Sequence, residues 1–226
     1  MKSRRILTTL GFITVQICAL NFYANAQNNW VKDIQGIPIT ATKTEDVKGS
    51  PLMSTDWQKA TVKLKNGVTY KDNMYVMYNL EKDELYFKGE KGEVLAFVDP
   101  VSEFILLDNN GDSHYFKSGY SNVPGTTTNT FLEVIGDGSV KLLKHTKSYI
   151  LESKDYSSPG VKTYNKDVKY YLLSGANVQP VKPDKKSIIT ALGTKQNEVE
   201  KYLKENNLNF KKDTDLTKLI TYYNSI

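Results

Sequence analysis

Cysteine is nearly absent from this 226-residue chain. The single one, Cys18, lies inside the N-terminal apolar run. Downstream of that run there is no disulfide, no thiol nucleophile and no cysteine metal site, and Cys–His catalysis is excluded. Histidine is almost as scarce, with only His114 and His145. A zinc site draws on about three protein ligands, so two histidines supply part of one set, and no metal site is expected. Arginine occurs only at Arg4 and Arg5. Without its planar fork the rest of the chain lacks the usual reader of phosphate and guanine, and nucleic-acid recognition is not expected. No Gly-x-Ser-x-Gly elbow, Ser-x-x-Lys motif, P-loop or dinucleotide fingerprint stands in a supporting context, so no cofactor and no catalytic residue is assigned.

The start of the chain reads as an export signal. Lys2, Arg4 and Arg5 precede the mostly apolar run from Ile6 to Leu20, and Ala24-Asn25-Ala26 is a small-x-small cleavage site. The run is short of the ~20 apolar residues of a spanning helix, so cleavage after Ala26 is favoured over a membrane anchor. The processed chain would then be a periplasmic or extracellular protein and not an integral membrane protein. Loss of Lys2, Arg4 and Arg5 lowers the formal net charge from +5 to +2. The remaining basic excess is carried by lysine and reads as a solvated surface. About 200 residues without disulfides must be held by their core.

The region from Lys59 to Phe116 organises the rest. Ala60 to Lys65 alternates strictly, which in a strand puts Ala60, Val62 and Leu64 on a core face. Asn66-Gly67 follows, a pair suited to a type I′ hairpin turn. Met74 to Leu80, Leu85 to Phe87, Val94 to Val98, Val101 to Leu107 and His114 to Phe116 read as further strands separated by polar turns. Val94 to Val98 is apolar on both faces and predicts a strand covered on both sides. Ile34, Ile37 and Ile39 form a candidate edge strand with Pro38, and Thr40 to Ser54 reads as a linker. Trp57 reads as a plug over the open end of the core. Gly119 to Thr130 is the longest structureless candidate. Phe131 to Ile135, Val140 to Leu143, Tyr149 to Leu151 and Val168 to Leu173 follow as strands. After Pro180 and Pro183 the period changes to about 3.6. Asp184, Thr194, and Asp213 or Thr214 are the candidate N-caps of three short helices, with Gly193 stopping the first.

The fold class is therefore mainly β, an antiparallel meander forming a barrel or sandwich, with a C-terminal appendage of about three short helices (α+β overall). The expected segments are a leader at 1–26, an arm or linker at 27–56, a β-domain at 57–175 and a helical appendage at 176–226.

Several stretches carry a resemblance: Lys48-Gly49-Ser50-Pro51, Trp57 to Gly67, Asp99 to Phe104, Val140-Lys141-Leu142-Leu143 and Leu219 to Asn224. Together they resemble a group of secreted, uncharacterised proteins of Bacteroidetes-type bacteria. The resemblance covers most of the chain beyond the leader. It implies export and a bacterial envelope setting, and assigns no activity or site residue.

Asp108, Asn110 and Asp112 alternate like the first half of a calcium loop. Ser113 and Gly119 stand where an EF-hand needs Gly and Glu, so a plain hairpin turn explains them. His114 beside Asp112 has the composition of an acid–base pair, yet each histidine reads more simply as a strand or surface residue. The paired carboxylates of a glycosidase leave no spacing signature, so a hydrolase stays as the last-ranked alternative. Tyrosine is the most unusual feature, with fifteen. Most fit half-buried sheet faces. Tyr75 and Tyr86 fall opposite Val76 and Phe87 and are the candidate ligand-binding rings. The leading functional reading is a non-catalytic envelope protein that binds or scaffolds another envelope component, a protein or a glycan. The alternative is a small-ligand protein, for glycan or lipid, using Tyr-rich faces or a barrel interior.

Overall fold

The computed structural model describes residues 34–39, 46–155 and 158–226. The expected leader at 1–26, with Cys18, and residues 27–33 and 40–45 of the expected arm lie outside them. The chain is mainly β, with three helices at its C-terminal side.

β3 (Gln58–Leu64) realises the alternation: Ala60, Val62 and Leu64 are buried while Lys59 and Lys63 face water. β4 (Thr69–Tyr70) returns beside it. Of the turn residues only Gly67 has a positive φ, +91°, so the turn is not the expected type I′. Instead Asn66 accepts from the Val68 N–H through its side chain, and the Leu64 N–H reaches the Val68 carbonyl across a three-residue loop. β5 (Tyr75–Asn79) and β6 (Glu84–Lys88) form the next hairpin. β7 (Val94–Phe97) pairs β6 on one side and β1 (Gly36–Pro38) on the other. All four residues of β7 are half-buried rather than covered on both faces. Among the described residues only three-residue β1 lies beyond β7, with Pro38 on the sheet edge as the sequence indicates. After Asp99-Pro100, β8 (Val101–Leu107) pairs β3 rather than β7, which places β3 between β5 and β8. β9 (Ser113–Lys117) follows beside β8.

The inner faces of these strands bury Val62, Val76, Tyr78, Phe104, Leu106 and Phe116. The Tyr78 ring meets Phe104 and Phe116 edge-on, each at 5.3 Å, and Phe131 closes the cluster. Such geometry adds about 0.5–1.5 kcal/mol per pair beyond burial. Aromatic side chains thus fill the interior.

β10 (Leu132–Gly136), β11 (Val140–Asp155) and β12 (Ser158–Ser174) continue the sheet, and β13 (Asn177–Val181) ends it. β13 lies past Ser174-Gly175. Its Pro180 obscures it in the sequence and suits the edge. β2 (Val47–Lys48) adds in parallel to β12, which makes the sheet mixed and ties down part of the expected 40–54 linker. The sheet path does not close.

One face of β10–β12 meets the helices, and the other meets the loop from Gly119 to Thr130. That loop is compact rather than structureless. Thr126 Oγ1 lies 2.7 and 2.8 Å from the carbonyls of Tyr120 and Val123, and Val123 is buried against Leu132, Leu143 and Tyr171. On the opposite face Ile135, Leu142 and Leu172 pack against Ile188, Leu216, Leu219 and Ile220. These belong to α1 (Lys185–Leu192), α2 (Gln196–Asn206) and α3 (Asp213–Ser225). Asp184 caps α1 by accepting from the Ser187 N–H, and Gly193 ends it at φ +70°. The other two caps differ from expectation. Thr194 bonds the Tyr223 hydroxyl instead, and Lys195 precedes α2 without a side-chain cap. Asp213 is the first residue of α3 rather than its cap, and with Asp215 it sets negative charge at the positive end of the helix dipole.

α3 presses directly on the β10–β11 hairpin. A Cβ on Gly136 would sit 2.6 Å from the Ile220 side chain. One turn on, Asn224 closes the hairpin loop: its Oδ1 accepts from Ser139 Oγ and the Val140 N–H, and its Nδ2 donates to the carbonyls of Asp137 and Val140. Asn224→Ala is expected to cost about 1–3 kcal/mol in urea denaturation, because it strips partners from part-buried backbone groups. Ser225→Ala, which loses only a bond within its own exposed helix end, should leave the midpoint nearly unchanged.

Candidate functional site

Tyr75 and Tyr86 share a sheet face, since Tyr86 pairs Met77 and Tyr75 lies two residues before it. They do not share an environment. Tyr75 is 39% exposed, whereas Tyr86 is 5% exposed. The Tyr86 hydroxyl donates to Glu84 Oε2 at 2.8 Å and accepts from Asn79 Nδ2 at 3.3 Å. The turn before it is polar, and Asn79 and Glu84 hold its hydroxyl. Of the two candidate rings only Tyr75 is open to a ligand. In the Asp108–Asp112 turn, Asp108 Oδ1 accepts from the N–H groups of Asn110 and Asp112, as a hairpin turn requires.

The densest chemistry lies elsewhere, on a single row across the sheet. The pairings Val62–Phe104, Phe104–Phe116, Phe116–Glu133, Glu133–Lys144, Lys144–Tyr170 and Tyr170–Val181 run from strand to strand on one face. Both ends of the row are apolar. Its middle is charged and lies between the aromatic core and the helix-covered core. Glu133 is buried, with its side chain 6% exposed. Its Oε1 is 2.6 Å from His114 Nδ1 and its Oε2 is 2.9 Å from Lys144 Nζ. Lys144 also reaches Asp213 Oδ2 at 2.6 Å, and the Tyr170 hydroxyl donates to Asp213 Oδ1 at 2.9 Å. His114 Nε2 lies 3.5 Å from Asp108 Oδ2. The connected groups span the β8–β9 turn, β9 to β12 and the first turn of α3.

Burial pushes the Glu133 carboxyl up, but His114 and Lys144 outweigh it and hold it below the usual range. The hydrogen bond to Glu133 raises His114, against the effect of burial. Burial disfavours the Lys144 charge, yet Glu133 and Asp213 raise its pKa overall. Burial, helped by Asp213, pushes the Tyr170 hydroxyl up to about 12. Glu133 favours the charged forms of His114 and Lys144 and they favour its own, one on each carboxylate oxygen, while Tyr170 is held neutral. This arrangement suits a structural clamp. The sequence pairs His114 with Asp112, but the structure pairs it with Asp108 and Glu133. The available signal was a charge inside an apolar strand: Glu133 between Leu132 and Val134, and Lys144 directly after Leu142-Leu143.

His145 shows the opposite effect. It is 7% exposed, its Nε2 has no hydrogen-bond partner among the described residues, and burial lowers its pKa.

Two further features face outward. A cleft of about 240 Å³ is floored by Leu85, Phe97, Val101 and Phe131 and rimmed by Asp83 and Asp99, apart from the charged row. Beyond His145, β11 and β12 continue as a ribbon in which Tyr149, Ile150, Leu151 and Val161 are each at least 40% exposed. No helix among the described residues is long and apolar enough to cross a membrane. No family model, curated protein or solved structure matches the chain.

The two histidines should tilt stability in opposite directions. His114 has a raised folded pKa, so its stabilisation is complete below the unfolded value of about 6.5 and is lost as pH rises through the folded pKa. His145 has a lowered folded pKa, so its neutral burial is penalised as pH falls through about 6.5. In urea melts across this range His114→Gln should remove the alkaline-side loss, and His145→Gln the acid-side loss. Glu133→Ala should cost about 1–3 kcal/mol, since His114 and Lys144 lose the carboxylate between them while Lys144 keeps Asp213.

Proposed function

We propose that the protein is a non-catalytic, exported envelope protein that binds or scaffolds another envelope component. The observation that carries this reading is the ribbon, which holds large apolar side chains in solvent where a self-contained fold would bury them. Two further features support it. The histidine and carboxylates that lie within reach of one another are engaged in internal ion pairs. The basic start, apolar run and Ala24-Asn25-Ala26 site are those of an exported chain. On one ribbon face Tyr149, Leu151 and Val161 lie together, since Leu151 pairs Thr163 and Ser153 pairs Val161. This face is the contact surface.

A second reading, a small-ligand protein, is favoured by the cleft at Phe97. Its volume is slightly below the ~300 Å³ at which ligand clefts usually begin. The aromatic packing of the interior weighs against a ligand inside the β-domain itself.

Photo-crosslinking residues at Leu151 and Val161, introduced into the protein in intact cells, should yield one defined adduct. The same probe at Lys201, on the exposed side of α2, should yield none. Absence of any ribbon adduct from envelope-fractionated protein would count against the first reading. For the second, a glycan or lipid fragment bound only by the folded chain must raise the thermal midpoint. Phe97→Trp, which fills the cleft, should abolish that shift.

A further inference from the structure

The sheet blunts its other edges. β1 is three residues long and carries Pro38, and β13 carries Pro180 and is followed by α1. The outer edge of β12 is occupied by β2 and β13. Charge, proline, short strands and coverage are the usual means of preventing edge-to-edge pairing. The outer edge of β11 from Tyr149 to Ser153 has none of the first three beyond a single Glu152, and among the described residues no strand pairs with it. Tyr149, Ile150 and Leu151 on it are all exposed.

The backbone direction of this edge is fixed at one point. The Ser148 N–H donates outward to the Leu80 carbonyl at 3.1 Å. Pairing with β12 shows no register shift between Val140 and Ser153, so the N–H and C=O groups of Ile150 and Glu152 also point outward, while Tyr149 and Leu151 bond inward.

We infer that this edge pairs antiparallel with the same edge of a second copy of the chain, joining the two sheets across their β11 edges. Ser148 is already engaged, so the two-fold axis falls at Leu151. Ile150 then exchanges backbone hydrogen bonds with Glu152 of the second copy on each side of the axis, and Leu151 faces Leu151. Tyr149 falls opposite Ser153, and no like charges meet. The contact is self-complementary, as a two-fold interface requires. Beside Leu151 and Glu152 the ribbon has, among the described residues, only the two-residue β2 as a third strand, and such a narrow sheet gains stability from added strands. The surface is small, so the dimer should be weak, on the order of micromolar.

The test is sedimentation of the purified exported protein, which after removal of the leader carries no cysteine of its own. A concentration-dependent dimer is expected. Ile150→Pro, which deletes an outward N–H and leaves the ladder to β12 intact, should weaken it by about tenfold or more with unchanged circular dichroism. Leu151→Cys should cross-link on oxidation, because residues facing at the axis lie within disulfide reach. Tyr149→Cys should not, since its own copy lies four positions away. If Ile150→Pro fails to fold, the cysteine pair still reads the register. A monomer at every concentration, or a dimer indifferent to these changes, overturns the inference. Because the protein is pure, that failure leaves the envelope cross-link above standing or falling separately, including the case in which a foreign strand uses this edge.

Discussion

A carboxylate buried in a β-sheet must be met by positive charge, and Glu133 is the point on which this molecule depends. Removing it from water costs several kcal/mol, which only close partners offset. His114 and Lys144 meet it from the strands on either side, and Lys144 carries the linkage on to Asp213 at the start of α3. The aromatic core and the helix-covered core are therefore parts of one sheet face with a charged seam between them. An apolar seam would tolerate sliding of β10 past its neighbours. A paired charge in a low-dielectric site does not, so the seam also fixes register.

That seam has the composition of a catalytic centre and the wiring of a clamp. Glu133, His114 and Lys144 favour one another's charged forms, and none of them lines the cleft at Phe97. Polarity is gathered inside while apolar side chains stand outside on the ribbon, an inversion that favours a protein whose work is contact with another surface.

Much of the fold was legible in the sequence because period two and period 3.6 are local signals. Ala60, Val62 and Leu64, or Leu216, Leu219 and Ile220, declare their faces without any knowledge of partners. What was missed is non-local. β8 returning to β3 is a choice between strands of equal propensity, and β13 is masked by Pro180. The caps at Thr194 and Asp213 were misread because Tyr223, and Lys144 with Tyr170, claim those side chains from far along the chain. Tyr86 lies on the face the sequence indicates but is buried, with its hydroxyl held by Asn79 and Glu84. Glu133 showed only as a charge out of place, and its significance depends on strands brought alongside by folding.

The Asn224 lock has a consequence for the order of events during synthesis. The β10–β11 hairpin it closes lies more than eighty residues upstream. Chains emerge from the ribosome N-terminus first, at about 5–20 residues per second, so the hairpin waits several seconds for the side chain that completes its turn. Until then its helix-facing residues Ile135 and Leu142, and Leu172 on the adjoining β12, have no cover. Those seconds are the interval in which a chaperone or a translocation machine meets a chain whose sheet exists in outline but whose final commitment has not been made.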